Sequence, residues 1–385
     1  MRVLICGLLN VPNGDAGAVR QHTLAIMCRA LEHEAMIVGL GQSNEMRPQN
    51  FQGISVVSLR EGGSNTRDKI ASHLRYWRRL KQVLRAFCPD VVIMDDMGTL
   101  KTMRIMRYCK SERIHLIHDS VEWYSPEQFR HGRFSMAYLK KDMLNRYLIN
   151  RNCDVIAISQ YLFRHFQNKG CRCVRIPIVV SEKDLCSAKH LQKNKVVFTY
   201  AGQPGKKDYL HIMLAAFEQL SPEALSRVQF HIVGCNRQQM LDAGLSEEIL
   251  DKLQSCLVIH GRISRNEVLD ILKETDFTIL MRSPQQRYAK AGFPTKVVES
   301  LSRSTPVICN LTSDLEMYLT DSVDSLLVRD CSAESLKECL EKAIDLSAEE
   351  REAMCKSSLG TVKKHFLCDI YQNQLKMLLE KNTAK

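Results

Sequence analysis

The sequence predicts two doubly wound, Rossmann-like α/β domains of similar size. Short β-rich segments alternate with segments of helical periodicity, and one polar, irregular stretch at residues 181–195 interrupts this alternation. We therefore place an N-terminal domain at residues 1–185 and a C-terminal domain at residues 186–385. A chain of 385 residues is long enough for two domains with separate cores.

The N-terminal domain is predicted from apolar, β-branched runs followed by amphipathic segments. Strands are expected at 2–8, 54–59, 91–94, 115–118 and 155–159, with one helix ending near Leu31 and others at 67–87, 98–109 and 134–150. A loop that contains Gly14 and Gly17 joins the first strand to the first helix. In helix 67–87 we expect Ile70, Leu74, Trp77, Leu80, Leu84 and Phe87 to face the core, and the basic residues between them to face outward.

The C-terminal domain is predicted in the same way. Its strands are expected at 196–201, 228–233, 257–260, 277–281, 307–310 and 325–328. Two helices are predicted to begin with capping boxes, one formed by Ser264 and Glu267 and the other by Ser347 and Glu350.

A lysine close to a helix start is the first candidate for a binding site. In the segment AGFPTKVVESLSRSTPVI (291–308), Pro294 suits the first helical position and the Ser304-Thr305-Pro306 triplet ends the helix. The free amides of a helix N-terminus carry partial positive charge, so Lys296 is unfavourable there unless an anion joins it, and phosphate is the usual anion. The alternative is that Lys296 points into water and Glu299 balances its charge.

The surplus of positive charge lies entirely in the first half of the chain. Residues 1–185 contain 28 Lys and Arg against 17 Asp and Glu, a net of +11, whereas residues 186–385 contain 26 of each kind. Helix 67–87 carries much of this charge, including Arg75, Arg78 and Arg79. Such a helix either packs on a sheet as an ordinary surface helix or also faces anionic lipid. No nucleic-acid-binding signature accompanies the basic half, so a nucleic-acid partner is not expected.

Several other classes of protein are disfavoured. The 15 cysteines are scattered and have neither disulfide-framework nor zinc spacing, which is typical of a reducing cytosol. We find no leader segment and no apolar run of membrane-spanning length, so a cytoplasmic location is expected. No metal site is expected, because Asp95 and Asp96 are adjacent and have no partner carboxylates. The first strand lacks the G-x-G-x-x-G of a nicotinamide enzyme.

Candidate site residues lie directly after predicted strands, because ligands of open α/β sheets bind at the carboxyl ends of the strands. These residues are Gly14 and Gly17, His118 and Asp119, Gly202 with Gln203, Lys206 and Lys207, and Arg282. The two lysines and the helix start near Lys296 belong to the same domain. We therefore expect them to hold a diphosphate together.

The same segments resemble a known family. VFTYAGQPGKKDYLHIMLAAFEQL, FHIVG, VIHGRISRNEVLDILKETDFTILM and AGFPTKVVESLSRSTPVI, followed by SDLEMYL, are similar to the nucleotide-binding domain of GT-B glycosyltransferases. More narrowly, they resemble the retaining family 4 enzymes of bacterial capsular and surface polysaccharides. The likeness covers nearly the whole C-terminal domain. It is looser in the N-terminal domain, where IHDSVEWY and DVIAISQYL carry it together with the glycine-bearing loop.

The resemblance implies roles for individual residues. Lys207 matches the lysine that holds the donor diphosphate, and Glu299 matches the second acid of the Glu-x7-Glu motif, which binds the ribose. His118, beside Asp119, matches a residue that lines the transferred sugar. We also assign donor contacts to the loop from Gly14 to Gly17, to Gly202, Gln203 and Lys206, and to Gly292, Phe293, Pro294, Thr295 and Lys296.

Two positions depart from the family pattern. Ala291 stands where the first acid of the motif is expected, and Gln203 stands in place of an arginine. Arg282 and Arg287 are hypothesised to replace the missing charge. Two alternatives remain open: an inactive scaffold homologue, for which these two departures are the argument, and a nucleotide-sugar epimerase of GT-B shape.

The function implied is transfer of a sugar from a UDP- or GDP-activated donor to a saccharide acceptor, expected to be lipid-linked, across a cleft between the two domains. Retention of configuration is implied by the resemblance alone. Neither a metal nor a cofactor is expected. The basic N-terminal domain is expected to meet an anionic membrane surface, and the last helices, within residues 347–381, are expected to cross back onto it.

Overall fold

The computed structural model describes residues 1–11, 16–41, 46–59, 66–186, 195–202 and 207–380, and the side chains of residues 66–73 are outside the description. The described chain divides into two compact units. The first contains residues 1–179 together with the C-terminal segment from Cys368, and the second contains residues 180–367.

The first unit is a parallel sheet with helices between its strands. Its strands are β1 (Arg2–Asn10), β2 (Glu34–Leu40), β3 (Gln49–Phe51), β4 (Ile54–Leu59), β5 (Val91–Met94), β6 (His115–Ser120), β7 (Asp154–Ala157) and β8 (Cys173–Arg175). Its first helices are α1 (Ala16–Ala30), α2 (Thr66–Phe87), α3 (Thr99–Ser111), α4 (Met136–Met143), which continues as a π-helical turn (Leu144–Leu148), and α5 (Gln160–Asn168). The strand order is β3-β4-β2-β1-β5-β6-β7-β8, and only β3 runs antiparallel to its neighbour.

Strand β2 is the main element that the sequence prediction missed. It follows α1 after three residues and pairs along most of its length with the central strand β1, from Arg2 opposite Glu34 to Cys6 opposite Val38. Its sequence, EAMIVGL, is short and only partly β-branched. The pairing partner is therefore what makes it a strand, because β propensity is strongly context-dependent.

Helix α2 packs with most of the predicted face inward, except at Leu74. Leu74 is exposed, whereas Tyr76, Leu80 and Leu84 are buried in the first unit. The predicted stripe was wrong at Leu74 because Tyr76, two residues further on, carries the larger apolar surface and takes the inward position.

The second unit repeats the architecture with six parallel strands. They are β9 (Val196–Ala201), β10 (Val228–Val233), β11 (Leu257–Gly261), β12 (Phe277–Leu280), β13 (Val307–Asn310) and β14 (Ser325–Val328), in the order β11-β10-β9-β12-β13-β14. Its helices are α6 (Leu210–Glu218), α7 (Pro222–Ser226), α8 (Arg237–Asp242), α9 (Glu247–Lys252), α10 (Arg265–Glu274), α11 (Arg287–Ala291), α12 (Thr295–Ser302), α13 (Ala333–Asp345) and α14 (Ala348–His365). All six strands were predicted, each to within one residue at either end.

Side-chain caps set the starts of two helices as the sequence indicated. Ser264 Oγ accepts a hydrogen bond from the backbone amide of Glu267, and the Glu267 carboxylate accepts one from the Ser264 amide at 2.8 Å. Ser347 and Glu350 cap α14 in the same way. Helix α12 begins at Thr295, one residue after the predicted start, because Pro294 keeps an extended backbone (ψ 96°) in the capping position.

The division of the chain differs from the predicted boundary at residue 185. Val180 already belongs to the second unit, because its amide donates to the Phe366 carbonyl at 2.8 Å and it pairs with Leu367. Helix α14 also stays in the second unit, where Ser358 donates to the Asp324 carbonyl at 2.8 Å. The predicted return to the N-terminal domain therefore starts only at Cys368.

The returning segment completes the core of the first unit. Its helix α15 (Gln372–Leu379) buries Leu375, Leu378 and Leu379 in the same apolar cluster as β1 and α1. The Arg172 guanidinium donates to the Leu378 carbonyl at 2.7 Å and so satisfies the free carboxyl end of this helix. Among the described residues, no helix is long and apolar enough to cross a membrane.

Candidate active site

The second unit contains a buried ion cluster centred on Asp208. One oxygen of this carboxylate accepts from Arg282 Nε at 2.7 Å. The other accepts from Lys296 Nζ and, at 3.1 Å, from the Tyr200 hydroxyl. The Asp208 side chain is 5% exposed, so these contacts take place almost out of water.

Parallel strand topology brings these side chains together. Tyr200 lies near the end of β9, Arg282 follows the neighbouring strand β12, and residues 208 and 282 form an antiparallel bridge. The side chain of Asn310, at the end of β13, accepts from the Arg282 amide at 3.0 Å and donates to its carbonyl at 2.7 Å. The cluster therefore occupies the carboxyl edge of the sheet, where ligands of this architecture bind.

Two glycines leave room for the lysine. A β-carbon at Gly202 would lie 2.0 Å from Lys296 Nζ, so the ammonium occupies the space that a side chain would fill. Gly234 has a φ of +108°, and a β-carbon there would lie 2.6 Å from the Gly202 carbonyl oxygen. The close approach of the two backbones therefore requires glycine at position 234, whereas glycine at position 202 leaves room for the Lys296 side chain.

The ionisation of the cluster follows from burial and from its charges. Burial alone would raise the pKa of Asp208, but Lys296 and Arg282 outweigh it and hold this pKa at about 2. Burial lowers the pKa of Lys296, and Asp208 opposes that change. The Lys296 ammonium also lies 4.5 Å from the centre of the Tyr200 ring. Two cations face one carboxylate, so the cluster keeps a net positive charge.

The anion expected beside Lys296 is therefore present, and it is a side chain of this protein. The interpretation of Lys296 as a solvated lysine balanced by Glu299 is wrong, because Asp208 is its ion-pair partner. The interpretation that a phosphate also joins Lys296 stays a prediction. Asp208 was not among the predicted site residues. The available signal was an acid directly after the glycine-bearing loop, in the same domain as a lysine that needed an anion.

The remaining predicted donor contacts in the second unit are partly brought together. The backbone carbonyl of Lys207 accepts from the Tyr288 hydroxyl at 2.8 Å, which places Lys207 at the same edge as Asp208. Arg287 begins α11, directly before the segment from Gly292 to Pro294. The Phe293 ring is buried against Tyr318 and Phe366 and so serves the core. Gln203 and Lys206, like Gly14 in the other half, lie outside the described residues.

Glu299 lies one turn after Lys296 on the same helix. Its carboxylate pairs with the Arg265 guanidinium at 3.0 Å and is partly exposed. Lys296 and Glu299 line one small pocket, together with Ala201 and Thr278 of the neighbouring strands. Glu299 is thus paired and partly exposed, and its assigned contact with a ribose stays a prediction.

The two first-unit candidates lie at the carboxyl end of β6 and are both buried. His118 Nδ1 is 3.2 Å from the Met94 carbonyl oxygen, and burial lowers the pKa of this imidazole, so it is neutral at pH 7. Both oxygens of Asp119 accept from Arg20, at 2.8 and 2.7 Å. Arg20 also donates to the Pro177 carbonyl at 2.8 Å. Asp119 is therefore held in a bidentate ion pair, and Arg20 was not among the predicted residues.

Asp95 and Gln21 form a second polar feature beside this pair. Burial, followed by the charge of Asp119, raises the pKa of Asp95 to about 8. The carboxyl group is thus mostly protonated at pH 7. Both polar atoms of the Gln21 amide are buried without a hydrogen-bond partner, and its Nε2 would lie 2.3 Å from a β-carbon at Gly7. Among the described residues, no three His, Cys, Asp or Glu side chains are grouped to bind a metal ion.

Comparison with known proteins identifies the family. Residues 16–180 match the model of the glycosyl transferase 4-like domain, and residues 182–358 match that of glycosyl transferases group 1. The chain belongs to the GT4-type glycosyltransferases of the GT-B fold. None of the curated proteins compared with it matches.

Solved structures show the same fold for this glycosyltransferase. Sucrose-phosphate synthase from Thermosynechococcus elongatus aligns with a TM-score of 0.77 at 12% identity, over 98% of each chain. Anabaena HepE, solved in complex with UDP and glucose, aligns at 0.70 and 15% identity, over 98% of this chain and 99% of its own. WaaG, a glycosyltransferase of lipopolysaccharide biosynthesis, aligns at 0.70 and 12% identity, over 97% and 100%.

Proposed function

We propose that this glycosyltransferase moves a sugar from a UDP- or GDP-activated donor to a lipid-linked saccharide during the assembly of a surface polysaccharide. The transfer retains the anomeric configuration and uses neither a metal nor a cofactor. Two similar proteins support the choice of substrates: HepE binds UDP and glucose, and WaaG acts in lipopolysaccharide biosynthesis.

The observation that carries the proposal is the net positive charge of the Asp208 cluster at the carboxyl edge of the second sheet. Cleavage of a sugar–diphosphate bond leaves negative charge on the departing phosphate. Cations positioned for that charge in a water-poor site each lower the barrier by about 3 kcal/mol. Lys296, Arg282 and the amides at the start of α12 supply such charge here.

Asp208 has a definite task in this mechanism. It keeps Lys296 and Arg282 ionised and in place before the donor arrives, so no reorganisation is needed during the reaction. Lys207 adds a third cation next to the cluster. A phosphate oxygen of the donor then takes the proton of the acceptor hydroxyl as the new glycosidic bond forms on the face that the leaving group vacates.

The remaining roles follow the family pattern. We propose that Glu299 accepts hydrogen bonds from the ribose hydroxyls, and that the neutral imidazole of His118 lines the transferred sugar. Asp119 acts as a positioning residue, because Arg20 occupies both of its oxygens. The surplus charge of residues 1–185 draws the enzyme to the anionic membrane surface that holds its acceptor.

A thermal-shift panel of nucleotide sugars tests the donor site. A donor at a hundred times its dissociation constant stabilises the folded protein by about 2.7 kcal/mol, so a real donor raises the melting temperature and an inert one does not. Lys207→Ala and Glu299→Ala are expected to reduce the shift, whereas Lys290→Ala, an exposed lysine of α11, is the matched control. Shifts that are equal in all four proteins would contradict the assignment.

The reaction is tested separately from binding. Release of nucleoside diphosphate is expected only when a saccharide acceptor is added, and chelation of divalent metals is expected to leave the rate unchanged. Conversion of the donor without an acceptor would favour an epimerase, and donor binding without turnover would favour a scaffold.

A further inference from the structure

The helix that begins at Met136 in the first unit exposes a row of large apolar side chains. Four large apolar side chains, Met136, Leu139, Met143 and Tyr147, follow one another at intervals of three and four residues and thus share one face of α4 and its π-helical turn. All four are exposed, Met136 at 64% and Tyr147 at 72%, and Phe134 just before them is 89% exposed. We name these five residues the apolar face.

The opposite side of the same helix is buried, and beside Tyr138 and Leu144 it holds two polar side chains, Asp142 and Asn145, in hydrogen bonds. The Asp142 carboxylate accepts from Trp123 Nε1 at 2.7 Å and from Arg146. The Asn145 amide donates to the Glu122 carbonyl at 3.2 Å, and the Lys169 ammonium donates to the Asn145 carbonyl at 2.8 Å. Rolling the helix to bury its apolar face would break these contacts and leave buried donors such as Trp123 Nε1 without a hydrogen bond, which is costly. The exposure of the apolar face is therefore built into the fold.

The chain segment that carries the apolar face, residues 130–151, is strongly basic. Residues 130–151 contain six basic residues, namely Arg130, Arg133, Lys140, Lys141, Arg146 and Arg151, and a single acid, Asp142, which lies on the buried side. Of the six, all but Lys141 are exposed. Exposed apolar side chains in a segment whose exposed charges are all cations match an anionic lipid surface, where apolar groups enter the acyl boundary and cations meet phosphates. The cores of protein interfaces are instead depleted of lysine.

We propose that the apolar face and its ring of cations dock the enzyme on an anionic phospholipid bilayer. This inference rests on the proposed function, in which the acceptor is lipid-linked, and it names the surface that reaches the lipid. That surface is α4 with its π-helical turn, in addition to the basic side of α2. Phe134 and Met136 enter the headgroup region first, because Phe134 precedes the helix, Met136 begins it, and both are among the most exposed of the five.

Vesicle co-sedimentation of the full chain tests the proposal. The vesicles are phosphatidylcholine alone or phosphatidylcholine mixed with phosphatidylglycerol. The apolar variant combines Met136→Ser, Met143→Ser and Tyr147→Ser, and the charge variant combines Arg133→Gln, Lys140→Gln and Arg151→Gln. The control is Met377→Ser, which alters a 68% exposed methionine on α15 of the same unit.

The expected results are specific for each protein. The wild type and the control bind the anionic vesicles equally. The apolar variant loses at least tenfold in partitioning at every salt concentration. The charge variant loses about a hundredfold at low salt, since each cation near the surface is worth about fivefold, and this difference shrinks at high salt. Unchanged melting temperatures show that the variants are folded.

Three outcomes would overturn the proposal. They are wild-type binding by the apolar variant, equal binding of the wild type to neutral and anionic vesicles, and self-association of the wild type in lipid-free solution that the apolar variant abolishes. The third outcome would mean that a second copy of the chain covers the face.

The nucleotide-sugar thermal shift, measured on the same proteins, separates the membrane-docking proposal from the donor-site proposal, because the wild type and all the variants are expected to bind donor equally. Loss of that shift in the wild type would refute the donor assignment while leaving vesicle binding to be judged independently.

Discussion

Replacing Asp208 with asparagine tests the ion cluster most directly. Asparagine has the shape of a protonated aspartic acid, so Asp208→Asn removes the charge and little else. The pKa of Asp208 falls from its ordinary 3.8 to about 2 in the folded protein. At about 1.4 kcal/mol for each tenfold change in the ionisation constant, the variant should lose about 2 kcal/mol of unfolding free energy at pH 7.

The stability difference between the wild type and Asp208→Asn should decrease as the pH falls. A carboxyl whose pKa is lower in the folded state contributes its full stability well above pH 3.8 and loses it as the pH falls through about 2. At pH 3 the difference between wild type and Asp208→Asn should therefore shrink to about 1 kcal/mol. A simple packing defect would give the same loss at both pH values.

Urea unfolding at pH 7 and pH 3, followed by circular dichroism, measures both differences. The matched control is Asp345→Asn, because Asp345 pairs with Arg227 at 3.2 Å but is 73% exposed. Its effect should stay below about 0.5 kcal/mol, as for most surface ion pairs. A loss for Asp208→Asn that equals the control, or one that does not change with pH, would refute the reasoning.

Three further substitutions test other features of the two units. Asp95→Asn should stabilise the protein by about 4 kcal/mol at pH 7 and have almost no effect at pH 4. The pKa of Asp95 is raised to about 8, so the wild type loses stability as the pH rises from 4 to 8. Lower melting temperatures of the variant at both pH values would contradict this. Gly234→Ala should lower the unfolding free energy by about 2 kcal/mol or more, since the added β-carbon meets backbone atoms at a residue with positive φ. The control Gly360→Ala adds a β-carbon to open space in a helix and should raise the unfolding free energy by up to about 1 kcal/mol. Melting temperatures of the two variants that shift in the same direction would count against the contact. Arg20→Met should lower the unfolding free energy by about 3–5 kcal/mol, because it leaves the buried Asp119 carboxylate unpaired. Adding Asp119→Asn should restore part of that stability. A double variant no more stable than Arg20→Met would argue that Arg20 acts by packing alone.

Most of the fold could be predicted from the sequence because parallel strands buried on both faces are continuous apolar runs. The six strands of the second unit have that pattern and were found. Strand β2 and the short edge strands β3 and β8 lack it, and their pairing with neighbours makes them strands. The exchange of Tyr76 for Leu74 on the inner face of α2 has a similar cause, since only the packed sheet selects which of two nearby apolar side chains fits.

The candidate site was predicted in part for a related reason. Lys296 was recognised because a lysine near a helix start needs an anion, which is a local electrostatic argument. Its partner Asp208 lies 88 residues away in sequence, and Arg20 lies 99 residues from Asp119. Such pairs are invisible to spacing rules, because the chain topology determines which strand ends become neighbours.

The sequence by itself determined the fold class, the order of strands and helices in the second unit, and the glycines and cations that mark its carboxyl edge. Only the tertiary structure decided which acid neutralises Lys296, where the C-terminal helix returns to the first unit, and which face of α4 meets solvent. The physical reason is that backbone propensity and hydrophobic periodicity act within one element. Charge pairing and the choice of a buried face are instead decided between elements, by the partners that each side chain finds after the sheets have formed.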